Sequence, residues 1–197
     1  MTCGDGVRRN PHRAAAQSSA LCFGSPIPGD DLNRSTQPML IYPDVALEEG
    51  YGFPSTEQFQ IAEREDGKGK AVYTLTGHAR GEMIGRFTGL IVPYRTQHSL
   101  QLNPNLHVLD LHFVGYLAHS CSPNVFVDMQ EFEVWALEDI APESALTMDY
   151  ASTEDELYRQ FTCLCGHANC RHWITGRKER VNGEGIFYLQ SLLERAA

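Results

Sequence analysis

Three thiols fall within eight residues, at Cys163-Leu164-Cys165-Gly166-His167-Ala168-Asn169-Cys170, and that density limits what the surrounding chain can fold into. Clustered thiols without a ligand oxidise readily, whereas thiolates around one tetrahedral zinc sit about 2.3 Å from the ion. A C-x-C spacing is tighter than the usual finger knuckle. Gly166, with no Cβ, lets the chain fold back closely enough for all three sulfurs to reach one ion. The fourth place is open to His167, His172, Cys121 or a water. If Cys121 fills it, the metal pins this late segment to the one around His119-Ser120-Cys121 in the middle of the chain. The six cysteines could instead pair as disulfides, but residues 1–24 lack the apolar centre of a secretory signal, which disfavours that reading.

A chain of 197 residues with 42% apolar and 21% charged residues is large enough for one globular domain with modest extensions. No stretch approaches the roughly 18 consecutive apolar residues of a membrane-spanning helix, so no membrane partner is expected. The net charge of −9 works against phosphate-backbone binding, so no direct sequence-specific nucleic-acid binding is expected and a cationic partner fits better. Residues 1–36 hold four arginines and three aspartates among many Ala, Ser, Pro and Gly, leaving 12 basic and 22 acidic residues for 37–197. The first 36 are expected to be a disordered leader, with an organelle transit peptide as the alternative. An intracellular protein, cytoplasmic or nuclear, is the matching expectation.

From Pro38 onward short β-rich runs alternate with turn signals. Asp66-Gly67-Lys68-Gly69 lies between Ile61-Ala62-Glu63 and Ala71-Val72-Tyr73-Thr74-Leu75 and predicts a hairpin. Met83 to Val92 is a candidate strand, as is His107 to Val114 with Leu109, Leu111 and Phe113 on one face. Val125 to Val127 and Phe132 to Leu137 predict a strand pair joined by Met129-Gln130-Glu131. Thr153 with Glu156 fits a capping box for a short helix through Tyr158, and Ile186, Leu189 and Leu193 recur at helical spacing. The fold class is therefore mainly β with a few short helices, an α+β arrangement that excludes a doubly wound nucleotide fold.

Two further segments, His119-Ser120-Cys121-Ser122-Pro123-Asn124 and Leu146-Thr147-Met148-Asp149-Tyr150, precede Phe161 and the cysteine cluster. In that order and spacing the chain resembles the SET-domain protein-lysine methyltransferases with a post-SET zinc segment, over about Ile61 to Gly176. The Gly67-Lys68-Gly69 turn matches the family's opening Gly-x-Gly. The resemblance implies a β-clip of small sheets with a knot-like crossing. Its boundaries would be a leader at 1–36, an N-terminal extension at 37–60, the SET domain at 61–158, the post-SET segment at 159–176 and a C-terminal helix or tail at 177–197.

The same resemblance implies S-adenosylmethionine as cofactor, a structural zinc, and a lysine in a basic protein or peptide, histone or not, as substrate. Its zinc ligands would be Cys121, Cys163, Cys165 and Cys170, leaving His167 and His172 on the surface. Tyr150 would orient the reacting amine and methyl. Gly67, Lys68 and Gly69 would approach the cofactor's methionine moiety, the backbone of Ala118 and His119 its adenine, and Phe161 would cover the adenine face. Phe87, Met148 and Phe126 would line or support an apolar channel. The family commonly carries asparagine at the place of Ala118, an arginine-aromatic pair at Gly115-Tyr116 and a tyrosine at Phe87. Ala118 and Phe87 motivate a second expectation, a catalytically weak SET-like module that binds a basic segment.

Overall fold

In the computed structural model, residues 39–42, 51–67 and 69–196 are described, all within the unit Gln37–Ala197. The leader expected at 1–36 lies outside them, as does Lys68.

Strands β1 (Phe59–Glu63) and β2 (Lys70–Thr74) form the expected hairpin, antiparallel with Glu63 opposite Lys70. Its turn needs left-handed backbone, and Gly67 and Gly69 supply it at φ +69° and +88°. The run from 83 to 92 is not one strand. It divides into β3 (Met83–Arg86) and β4 (Leu90–Val92), which belong to different sheets. The Phe87 N–H leaves the ladder for Phe132 O at 2.9 Å, and Gly89 passes so close to Leu109 that a Cβ there would stand 2.4 Å from its carbonyl oxygen.

Next come β5 (Ser99–Asn103), which sequence periodicity missed, and β6 (Leu106–Leu109). The strand expected from His107 to Val114 stops at Leu109 because Asp110 ends it. The buried Asp110 carboxylate accepts the N–H groups of His112, Phe113 and Val114 at 2.7, 3.1 and 2.8 Å, and the Tyr42 hydroxyl at 2.7 Å. Those bonds wind the chain into a 3-10 turn at Val114–Tyr116. Leu111 and Phe113 consequently do not share a face: one is half exposed, the other fully buried.

After β7 (Ala118–His119), strands β8 (Val125–Asp128) and β9 (Glu133–Ala136) make the expected antiparallel pair. Phe126 points to the exposed side of β8 and lines no channel, a correction to the sequence expectation. Then follow β10 (Thr147–Met148), β11 (Phe161–Thr162), β12 (Trp173–Ile174) and one helix, α1 (Gly183–Ala196). The sheets are small: β1-β2, β3-β9-β8, β4-β6-β5, β7-β10 and β11-β12. The larger sheets share one core that includes Phe59, Val72, Val108, Phe113, Val134 and Leu146, while Ile174 of β12 packs with Leu157 and Cys163 in a second, smaller cluster.

No helix starts at Thr153, contrary to the capping-box reading. The segment's donors are committed to distant partners: Asp155 N–H to Gln101 Oε1 at 2.7 Å and Leu157 N–H to Glu179 Oε2 at 3.0 Å. Helix α1 forms where expected, but Ile186 and Leu193 face outward. Its docked side is Gly185 and Tyr188 against Trp173, with the two rings 5.8 Å apart. Among the described residues no helix is long and apolar enough to cross a membrane.

Candidate active site and metal centre

The site is built where two distant stretches run side by side. Strands β7 and β10 pair in parallel, Ala118 with Thr147 and His119 with Met148. Asn124 fastens the crossing: its side chain donates to Ala145 O at 2.9 Å and accepts the Thr147 N–H at 2.7 Å. Both strands are only two residues long, so side-chain clamps of this kind replace the ladder a longer pair would have.

Immediately after β10, Asp149 turns the chain by accepting the Ala151 N–H, and Tyr150 is delivered to the wall of a cavity. Its hydroxyl donates to Leu117 O at 2.9 Å and its backbone N–H to His119 Nδ1 at 3.3 Å. The rings of His119, Tyr150 and Phe161 meet edge to face, with centroids 5.2 to 5.8 Å apart. Burial pushes the Tyr150 phenol up to about 12 and the His119 imidazole down to about 4.

The cavity beside Tyr150 measures about 540 Å³, within the usual range for small-molecule sites. Gly69, Ala118, His119, Tyr150 and Phe161 all line it, so five of the seven residues expected at the catalytic and cofactor positions come together. Gly67 stands at the exposed hairpin turn, outside the lining. Met148 lines the cavity, whereas Phe87 is buried behind it against Phe132. A Cβ at Gly69 would meet nothing within 4 Å, leaving an open approach next to the cations Arg64 and Lys70 in the same wall. Arg159 lines the cavity too, and Arg64 is already held by Asp66 through bonds of 3.0 and 2.7 Å. Small backbone, the Lys70 ammonium and a ring cluster suit a ligand carrying a carboxylate at one end and a flat heterocycle at the other, as S-adenosylmethionine does.

Glu154 carries no mark in the sequence. It is the only acidic side chain lining the cavity among the described residues, buried with Oε1 accepting the Gln101 N–H at 2.7 Å and the Thr153 hydroxyl at 3.1 Å. An isolated Glu in a polar run carries no period or motif to mark it. Gly115, a departure from the family pattern, has a packing reason: a Cβ there would lie 1.9 Å from Asp110 O and 2.6 Å from His98 O, so no larger residue fits.

Behind Phe161 the sulfurs of Cys121, Cys163, Cys165 and Cys170 all lie within 4.8 Å of one another. Cys121 and Cys163 are 3.8 Å apart, and a tetrahedron with metal–sulfur arms of about 2.3 Å has edges of about 3.8 Å. Gly166 turns the segment at φ +77°, and the Arg171 N–H points at Cys121 Sγ at 3.3 Å. His167 and His172 are exposed and outside the group. Four sulfurs this close to one another suit a closed, tetrahedral structural zinc site with no open position for a substrate.

No family model matches the chain. It is 32% identical over 120 residues to Methyltransferase flvH of Aspergillus flavus, covering 57% of this chain and 67% of that protein. It is 34% identical over 86 residues to a histone-lysine N-methyltransferase, H3 lysine-9 specific, of Schizosaccharomyces pombe, covering 31% of this chain but 17% of the relative. Among solved structures, that of KRYPTONITE in complex with mCHG DNA and SAH matches with a TM-score of 0.48 and 24% identity over 58% of this chain and 28% of that one.

Proposed function

The chain belongs to the SET-domain methyltransferases, and on that premise we propose that it transfers methyl groups from S-adenosylmethionine to the side-chain amine of a lysine in a basic protein segment. One observation carries this reading: the parallel β7–β10 crossing delivers the Tyr150 hydroxyl to the wall of a cavity that Gly69, Ala118, His119 and Phe161 also line.

When bound, S-adenosylmethionine supplies an electrophilic methyl on its sulfonium, and the protein's share is alignment, desolvation and charge. An amine must reach the methyl neutral. Deprotonating a lysine of ordinary pKa about 10.4 near pH 7.4 costs about 4 kcal/mol. The apolar stretch of wall from Leu117, Met148 and Leu157 disfavours the ammonium and lowers that cost, while an ionised Glu154 in the same lining acts the other way. Tyr150 keeps its proton and spends it on Leu117 O, so its oxygen lone pairs remain free to orient the incoming amine. No protein base is demanded at the reacting atoms. The zinc set serves architecture: it anchors the stretch from Phe161 to Cys165 that forms one side of the cavity.

The acid excess of residues 37–197 supports a cationic peptide as substrate rather than nucleic acid. Ala118, buried with a methyl where the family commonly has an amide, favours the second reading of a weak or silent module. Intact-mass analysis of basic proteins incubated with the enzyme and cofactor decides between them. Growth of a substrate's mass by whole methylene units supports methyl transfer. No growth, together with no calorimetric heat on cofactor addition, supports the silent module.

A further inference from the structure

The same ring that borders the cavity also touches the metal set. His119 is almost entirely buried, its side chain 3% exposed, and both of its nitrogens have partners. Nδ1 lies 3.3 Å from the backbone nitrogen of Tyr150, and Nε2 lies 3.6 Å from Cys121 Sγ. A backbone N–H can only donate, so Nδ1 must be the bare nitrogen and the ring proton must sit on Nε2, facing the sulfur. A proton on Nδ1 would set donor against donor. Neither Asp149 nor the Met148 carbonyl reverses this: the nearest Asp149 oxygen is 3.9 Å from Nδ1 and is already gripped by Arg171 at 2.5 Å, and the Met148 carbonyl already accepts the Ser120 N–H at 3.0 Å. Edge contacts with Tyr150 and Phe161 fix the ring plane.

We propose that His119 is a positioning residue that joins the metal centre to the catalytic tyrosine, its Nε2–H donating to the Cys121 thiolate while its Nδ1 holds the Tyr150 backbone. With the Arg171 N–H at 3.3 Å, Cys121 then accepts two hydrogen bonds, which withdraw charge from that sulfur and set its angle to the metal. The seat of Tyr150 is therefore referenced to the metal through one rigid ring rather than through the many bonds of the intervening chain. The role for catalysis rests on the methyltransferase reading. The hydrogen-bond pattern does not.

Two measurements separate these parts. In zinc-loaded wild-type protein, nitrogen-15 shifts of His119 should show a protonated Nε2 and a bare Nδ1. The opposite tautomer, or a doubly protonated ring, overturns the proposal. The second measurement splits the two bonds by substitution. His119→Asn places an amide oxygen near the position of Nδ1 and cannot reach Cys121. His119→Gln places an amide N–H near the position of Nε2 and offers nothing to Tyr150. In the cobalt-substituted protein the sulfur-to-metal charge-transfer band should move to lower energy in His119→Asn and stay at the wild-type position in His119→Gln. The Tyr150 amide should exchange with solvent about tenfold faster or more in His119→Gln than in His119→Asn. Turnover should fall in both variants and further in His119→Gln, by about tenfold between them in kcat with the smaller change in KM, since misplacing a reacting group costs rate. Identical bands in all three proteins, or equal amide exchange in the two variants, would refute the link even if methyl transfer is established. An absent activity with the band and exchange patterns as stated would refute only the catalytic reading.

Discussion

Replacing Tyr150 by Phe removes one oxygen and one hydrogen bond, the 2.9 Å contact to Leu117 O. A neutral bond of this kind contributes about 0.5 to 1.5 kcal/mol net. For a domain of this size that is a fall in melting temperature of roughly 1 to 6 °C, at about 2 to 4 °C per kcal/mol. If the hydroxyl does no more than prop the ring, the rate loss is bounded by the same free energy. At about 1.36 kcal/mol per tenfold, 1.5 kcal/mol is roughly a factor of 13. If the oxygen orients the reacting amine, the loss should exceed about 100-fold, the scale on which misplacement of a reacting group is felt. Single-turnover methyl transfer at saturating cofactor measures the rate, and thermal unfolding with zinc analysis on the same samples measures the rest. A rate within about tenfold of wild type, with the expected loss of stability, would show that the hydroxyl is only a prop. An alkaline titration supplies a second check. Burial raises the phenol from its ordinary value of 10.0 to about 12, so its contribution to stability is whole below pH 10. It drains away as the pH rises towards 12, because the unfolded chain ionises first. Tyr150→Phe should lack that component.

Four other outcomes follow from the geometry. Gly115→Ala should destabilise by about 3 kcal/mol or more in urea unfolding, because its Cβ meets two backbone carbonyls that cannot step aside; a neutral effect would mean the turn can shift. Ala118→Asn should tighten S-adenosylmethionine by about 0.5 to 1.5 kcal/mol in calorimetry if its amide finds one partner, and a weaker affinity would show that the site holds the cofactor's amino-acid end in another way. Purified protein should hold one equivalent of zinc, with Cys170→Ser losing most of it. Chelation should abolish cofactor binding while the core around Phe113 and Val134 stays folded, and retention of full affinity without metal would detach the zinc from the cavity wall.

What could be read from the sequence was what depends on short-range pattern or on donor chemistry. The Gly67–Gly69 turn, the β8–β9 pair and helix α1 follow from local propensity. The cysteine quartet follows from ligand chemistry once Cys121 is added through the resemblance. The misses share one cause, tertiary bonds that override local preference. Thr153 and Glu156 carry a helix-start signal, yet Gln101 on β5 takes both the Asp155 N–H and its carboxylate, and no helix can nucleate. Asp110 reads as one more polar residue in an alternating run, and only the packing of Tyr42 and of the next three N–H groups around it reveals a strand terminator. Glu154 stayed invisible for the same reason, since the cavity that gives it meaning is assembled from segments far apart in the chain.

The parallel pairing of β7 with β10 also bears on how the chain assembles. The two-residue strands are held together in part by Asn124, which sits at the entry to the β8–β9 hairpin that lies between them in the chain, so their pairing is expected to follow that hairpin. The metal then closes a loop in which Cys121 and Cys163 stand 42 residues apart. Closing such a loop costs about 3 kcal/mol of chain entropy before any contact repays it, so this contact is expected to form after the local hairpin. Substitutions in the hairpin that leave the finished protein as stable as before can therefore still reduce the fraction of chains that become active, and refolding in the presence of zinc should recover activity faster than adding zinc after collapse.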